Sequence, residues 1–304
     1  MEKKKFKITS ENAGRRIDQY LVEILDKRCS RSAIQKLINE KLILLDNNSV
    51  KSRHILKEGE GITISFIPEE DSLPRAEKIE LDVVYEDGCL AVINKPAGII
   101  VHPSSFSMKH TLVNALLYRF RRLSSAAGDL KPGIVHRLDK DTSGLMVTAK
   151  DNDTHNELVR QFKEREVKRG YVVLVFGEVQ LDGGLINVPI GRSSRVRQKM
   201  MVDYNSKRDA VTIYKVIKRF KGATLLELDL KTGRTHQIRV HLKHIGYPIL
   251  GDRKYGVIKG APRQMLHSTK LGFTHPESKK YLEFKSGLPD DIKEYINKLS
   301  LLKI

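Results

Sequence analysis

The run HRLDKDTS, residues 136–143, sets a histidine, two cations and two carboxylates between the apolar runs GIV and LMVTA. A carboxylate placed this way acts as a nucleophile toward an electrophilic carbon or toward phosphorus. Asp141 stands beside Thr142, Ser143 and Gly144, where side-chain-to-backbone bonds would close a turn. Asp139 follows Leu138 and has no such use, so its bland alternative is an ion pair with Arg137 or Lys140. Asp139-Lys140-Asp141-Thr142 approaches the aspartyl-phosphate pattern D-x-D-x-[TV]. That pattern wants an apolar strand running directly into its first Asp, and acidic magnesium ligands downstream; the sequence has neither. It also lacks a GxxxxGK[ST] or GxGxxG loop.

Two further segments bear on chemistry. In KTGRTHQIRVHL (231–242), Thr235 would N-cap a helix that turns Ile238, Leu242 and Ile245 inward and ends at Gly246. Arg239 lies between apolar neighbours, so its guanidinium is expected in a partly buried place, where it needs an acceptor. His236, His241 and His244 do not have HExxH spacing and read as packing or RNA-side groups. Tyr171 opens the run YVVLVFGEV, as a strand-edge residue with a solvated hydroxyl or as a platform for a base.

The elements that position these groups follow from periodicity. Arg16–Leu25 and RSAIQKLINEK read as two helices, burying Ile17, Leu21, Ile24 and Leu25, then Ile34, Leu37 and Ile38, with Ser30 as N-cap. LILLDNNSV and GITISFIP read as strands around an Asp46-Asn47-Asn48 turn. Residues 1–70 form a small unit, 71–80 a Pro-containing linker, and 81–304 a larger unit. In the larger unit LDVVYED, CLAVINK, GIIVHP, GIV, LMVTA, YVVLVFGEV, AVTIYKVI and TLLELDLK read as strands. Helices fall at Thr111–Arg121, Thr154–Arg165 and Thr235–Ile245. This is a mixed α+β pattern, not a βαβ alternation.

Fifty-five Lys and Arg against 37 Asp and Glu give +18, which favours a polyanionic partner. Residues 1–70 contribute 14 basic and 11 acidic side chains, so most of the excess lies beyond them. Its densest part is Arg192–Lys221, where Arg192, Arg195, Arg197 and Lys199 open a one-signed run expected to track phosphates. On the second N-terminal helix Arg31, Gln35, Lys36 and Lys41 would face outward, as in a small RNA-binding unit. The two cysteines, Cys29 and Cys89, make neither a disulfide framework nor a zinc site. No apolar run approaches the ~20 residues of a membrane span, and no secretory signal stands at the N-terminus, so a reducing cytoplasm is expected.

INKPAGIIVHP (93–103), PGIVHRLDKDTSGLMVTAK (132–150), VKRGY (167–171), GRTHQIRVHLKHIGYPILGD (233–252) and MLHSTKLGFTHP (265–276) carry a resemblance. In this order they resemble the RluA-type pseudouridine synthases, RluD-like in having an N-terminal module of the alpha-L RNA-binding fold. The resemblance implies a mixed, largely antiparallel β-sheet with flanking helices and a central cleft. It implies isomerisation of uridine in RNA, most simply large-subunit ribosomal RNA, by a monomer without cofactor or metal. It makes Asp139 the essential aspartate, Arg239 its partner, and Tyr171 the residue that packs on the base and is a candidate to take the C5 proton. Ile238 would line the uracil pocket and Arg137 would hold the opened strand; His136 and Lys95, inside the matched motifs, would also face substrate. Gly170 departs from the bulkier polar residue expected before the tyrosine. The competing readings are a non-catalytic RNA-binding assembly factor and an aspartate-nucleophile phosphotransferase.

Overall fold

The computed structural model describes residues 3–25, 31–65, 73–103, 108–193, 196 and 199–301, the side chains of 32, 33 and 36 excepted. Ser30, expected as an N-cap, and Cys29 lie outside the described residues. The chain divides into two compact units, Met1–Leu73 with Ser104–Met108, and Pro74–Pro103 with Lys109–Ile304.

The smaller unit contains β1 (Lys3–Lys7), α1 (Ile17–Ile24), α2 (Arg31–Asn39), β2 (Ile43–Leu45), β3 (Asn48–Ser49) and β4 (Gly61–Ser65). Its sheet runs β1-β4-β2-β3. Ile43, Leu45, Ile62 and Ile64 alternate inward and meet Ile17, Tyr20, Leu21, Ile34 and Ile38 of the helices. Asp46 and Asn47 both take positive φ, the tight turn that joins twisted strands. Gln35 is half-buried rather than outward: with Arg16 and Arg31 it donates to the carboxylate of Asp18, which has no exposed surface. Burial pushes the Asp18 carboxyl up, but those three donors outweigh it and hold it at about 2.

The larger unit contains β5 (Asp82–Glu86), β6 (Leu90–Lys95), α3 (Leu112–Arg119), β7 (Ser143–Ala149), α4 (Asn152–Lys163), β8 (Lys168–Phe176), β9 (Gly183–Asn187), β10 (Ile190–Arg192), β11 (Met200–Val202), β12 (Val211–Phe220), β13 (Ala223–Leu230), α5 (Gln237–His244), β14 (Leu266–Thr274), β15 (Tyr281–Lys285) and α6 (Asp290–Leu301). Nine strands form one sheet, ordered β5-β6-β7-β14-β8-β13-β12-β9, with β15 also on β14. Every pairing in it is antiparallel except β7 with β14. Met146, Val173, Val175, Leu226 and Leu228 pack with Leu116 of α3 and with Ile238 and Leu242 of α5. Leu145, Val147 and Phe273 point the other way, toward Leu158 of α4. All seven residues of β7 are therefore buried. Full burial of Leu145, Met146 and Val147 contributes roughly 1.5–3 kcal/mol each.

Two expected strands are absent. GIV makes only the single bridge Ile134–Thr148 beside the end of β7, and GIIVHP only the bridge Ile100–Thr111, its carbonyls accepting Leu112 N–H and Val113 N–H at the start of α3. The expected linker is pinned where it is described: Glu77 N–H donates to Asn114 O, and Asn114 Nδ2 donates to Arg75 O.

Three local devices place the chain around the loop that precedes β7. The parallel contact is two residues long, Ser143 opposite His267 and Gly144 opposite Ser268. Gly144 has φ +117°, and a Cβ there would stand 2.2 Å from Ser268 O, so only glycine lets the strands close. At the start of α5, His236 and not Thr235 holds the N-cap position, with φ +56° and no side-chain cap. Gln237 instead ties the segment before the helix to its first turn, since its Oε1 takes Arg234 N–H and Thr232 Oγ1–H. Gly246 ends α5 as expected: Gly246 N–H bonds Lys243 O and Tyr247 N–H bonds Leu242 O, a Schellman closure.

Candidate active site

The loop 139–142 is held from behind by residues outside it. Gln264 Nε2 donates to Thr142 Oγ1 (2.6 Å), Arg263 Nη1 to Asp141 O (3.0 Å) and Arg263 Nη2 to Ser143 Oγ (3.0 Å). Within the loop, Thr142 N–H returns to Asp139 O. The Asp141 side chain is exposed, so the turn is closed chiefly by β14 and the segment before it. Ser143 Oγ also shares a 2.8 Å bond with His267 Nδ1.

This anchoring presents Asp139 to a cleft of about 450 Å³ lined by His136, Arg137, Tyr171, Ile238 and Arg239 among others. Arg239 Nη1 donates to Asp139 Oδ2 at 2.7 Å. The same guanidinium gives Nε to Asp252 Oδ2 (2.7 Å) and Nη2 to Asp252 Oδ1 (2.8 Å), and it stacks over Tyr255 at 4.9 Å. Asp252 is buried, and its Oδ1 also accepts Lys254 N–H and Tyr255 N–H. Burial works against both charges, but their mutual bonds prevail: the Asp252 carboxyl is lowered and the Arg239 guanidinium raised.

Tyr171 is not at a sheet edge. It lies in β8 between Leu228 of β13 and Ser268 of β14, and is 6% exposed. Burial, together with Asp139, raises its phenol above the ordinary value. Its neutral ring thus suits packing on a base better than service as a free phenolate. Ile238 lies one residue before Arg239 and walls the same cleft. Arg137 is exposed at the cleft, its Nη1 3.5 Å from His102 Nε2.

Lys95 departs from its expected substrate-facing role. It is fully buried, and its ammonium donates to Pro96 O, Ile99 O and Lys140 O at 2.7, 3.0 and 3.1 Å. Burial draws it down to about 7 against the pull of Asp141 and Asp139. Its place is a staple between the 96–99 turn and the Asp139 loop. His136 lines the cleft, but its Nε2 accepts Val147 N–H (3.0 Å) and its ring stacks on Phe162. Burial, with Arg169 nearby, holds it at about 3, a neutral imidazole occupied in pinning β7.

Two residues that sequence reasoning missed, Asp252 and Tyr255, complete the site together with His236, which it read as a packing or RNA-side group. His236 Nδ1 is 2.8 Å from Tyr255 Oη, which itself accepts Met200 N–H at 2.7 Å. His236 Nε2 stands 3.9 Å from Asp139 Oδ1. Burial takes His236 down to about 4, so it is neutral near pH 7. The signal for Asp252 was available: a buried guanidinium needs acceptors on more than one side.

The expected RNA-binding cations are divided. Arg192 ends β10 and Lys199 precedes β11, in a hairpin that packs on α5 and on Tyr255. Arg195, Arg197 and the side chain of Lys36 lie outside the described residues. Lys215 points to the solvent face of β12 and lines a separate groove. Arg31 is exposed but gives Nε to Asp18 at 2.9 Å.

A hollow of about 960 Å³ behind the loop holds Lys95, Arg263 and His267 but none of Asp139, Tyr171 and Arg239. Among the described residues one trio has metal-ligand spacing, Asp87, Cys89 and His275. His275 Nδ1 accepts Glu277 and Ser278 N–H, so its proton sits on Nε2 and goes to Asp87 Oδ2 (2.8 Å). Burial raises the Cys89 thiol to about 11. The trio reads as a hydrogen-bonded hub rather than a cation site.

Residues 90–244 match the family model described as RNA pseudouridylate synthase. The chain is 41% identical over 294 residues to "Uncharacterized RNA pseudouridine synthase YlyB" of Bacillus subtilis, covering 96% of each. It is 42% identical over 291 residues to "Ribosomal large subunit pseudouridine synthase D" of Nitrosomonas europaea, covering 92% of this chain and 83% of that one. Among solved structures, "Human RNA Pseudouridylate Synthase Domain Containing 1" is similar with TM-score 0.56 and 26% identity, over 73% of this chain and 95% of the human one.

Proposed function

Because the chain belongs to the RNA pseudouridylate synthase family, and is thereby an isomerase that acts on RNA, we propose that it modifies large-subunit ribosomal RNA and that Asp139 carries the reaction. The names of relatives such as the Nitrosomonas protein support the ribosomal target. The non-catalytic assembly factor and the phosphotransferase give way to the family assignment. The observation that carries the role of Asp139 is its 2.7 Å contact with Arg239, in a cleft also walled by Tyr171 and Ile238.

In the reaction the N1–C1′ bond breaks, a C5–C1′ bond forms, C5 loses a proton and N1 gains one. Atoms balance without oxidant, reductant or water. Arg239 engages Asp139 through one oxygen, Oδ2, which leaves Oδ1 for the substrate. Tyr171 and Ile238 offer an apolar wall for a uracil that has left its stack. Arg137, exposed at the mouth, supports the opened strand. The smaller unit, with its alpha-L-like sequence, is read as an RNA-holding module.

The test is a map of pseudouridines, by carbodiimide and reverse transcription, in ribosomal RNA from a strain lacking the gene, its parent, and the strain complemented with Asp139→Ala. One or more large-subunit sites should vanish and return only with the wild-type gene. An unchanged map would overturn the ribosomal target. Restoration by Asp139→Ala would overturn the role of the aspartate.

A further inference from the structure

Arg169 is a buried cation that forms no ion pair among the described residues, Asp229 acting on it only from a distance. It is 8% exposed, lines the cleft with Asp139 and Tyr171, and is followed two residues later by Tyr171 on the same face of β8. Among the described residues no carboxylate lies within ion-pair distance of it. Its single hydrogen bond, Nη2 to Leu230 O, is long at 3.4 Å. Nε is sealed from solvent with no acceptor, and Nη1 makes no hydrogen bond among the described residues. The ring of Phe162, 5.6 Å away, supports the guanidinium from one side. A Cβ at Gly233 would stand 2.5 Å from Nη1, so the glycine of the GRTHQIR motif is what gives the guanidinium its space.

A buried guanidinium left this way is costly unless something completes it. We infer that Arg169 contacts substrate, receiving a non-bridging phosphate oxygen of the target uridine's own strand while Tyr171 meets the base. This rests on the reading of the cleft as a uridine site. A uracil carbonyl would satisfy the N–H groups but leave the charge uncompensated; a phosphate does both. The same wall carries Lys163, Arg165 and Arg234, which favours an anion there. Arg169 and Tyr171 are about 6.6 Å apart along the strand, a separation that one nucleotide spans.

The test is fluorescence anisotropy of the full chain with 5′-fluorescein r(AAUAA), each phosphodiester replaced in turn by a neutral methylphosphonate. With the wild-type protein, neutralising one linkage beside the uridine should weaken binding about tenfold or more. Arg169→Gln should bind the unmodified oligomer more weakly by a similar factor and respond less than about twofold to that linkage. Arg169→Lys, which keeps a point charge and loses the fork, should fall between them. Equal responses of wild type and variant overturn the inference, as does a wild-type scan with no sensitive linkage beside the uridine. The wild-type scan decides even where Arg169→Gln does not fold. Because the assay reads binding alone, a missing pseudouridine product would sink the enzymatic reading and leave the linkage result standing.

Discussion

Asp252 holds Arg239 through two parallel hydrogen bonds of 2.7 and 2.8 Å, so that only the Nη1 edge of the guanidinium is left for Asp139. Orientation of the cation is thus set by a carboxylate that never meets the cleft. Asp252→Asn should keep RNA affinity within about threefold while turnover falls about 100-fold, as expected when a catalytic partner is misplaced by an ångström. Loss of one member of a buried pair should also cost roughly 3–5 kcal/mol of stability. Single-turnover isomerisation and thermal melts check both; unchanged turnover would show that Arg239 orients itself.

Lys95 should act on rate without touching RNA. Lys95→Met leaves the carbonyls of Pro96, Ile99 and Lys140 short of a donor, although Gly98 N–H still reaches Lys140 O. Turnover is expected to drop about tenfold with KM within about twofold. A KM effect that dominates would return Lys95 to the substrate side.

Acid should weaken the larger unit through its buried imidazoles. His136 is held at about 3, and His236 and His267 at about 4, each chiefly by burial. An unfolded histidine titrates near 6.5. Between ~6.5 and ~4 the unfolded chain therefore binds protons that the native chain refuses. Stability is full above that window and declines as pH falls, by up to about 1.4 kcal/mol per pH unit for each group. His267→Asn keeps an acceptor for Ser143 and should flatten the slope by one group's share in denaturant titrations from pH 7.5 to 4.5. An identical slope would mean His267 charges freely in the fold.

The hairpin beside α5 should contribute phosphate contacts. In the double variant Arg192→Ala, Lys199→Ala the dependence of log affinity on log salt should become shallower by about 1–2. Lys215→Ala, on the solvent face of β12, should leave it unchanged. Equal effects would make the whole basic run one track after all.

How far the sequence could be read depended on whether a residue acts through local pattern or through a distant partner. α3 and α4 were legible because apolar spacing and polar N-terminal residues mark them; Thr111 caps α3, and Asp151 caps α4, which begins at Asn152, two residues before the expected start. Asp139 and Arg239 were legible because each sits in a motif that local structure does not require. Lys95 was misread because a polar side chain in a motif looks the same whether it faces substrate or a backbone carbonyl. GIV was misread as a strand because apolar composition does not tell a strand from a covered segment held by a single bridge. Asp252 and Arg169 went unnoticed because their meaning lies in what stands opposite them across the fold.

Two carboxylates sharing one guanidinium carry a formal charge of minus one, which the guanidinium of Arg169 in the same cleft offsets, while Arg137, Lys163, Arg165 and Arg234 stand exposed around the opening. The cavity is therefore graded along its depth, positive at the rim and formally balanced within. A strand gathered by the outer cations can leave most of its phosphates there, and the neutral heterocycle is the part of a nucleotide that goes deeper at least cost. The field sorts base from backbone before any contact has formed.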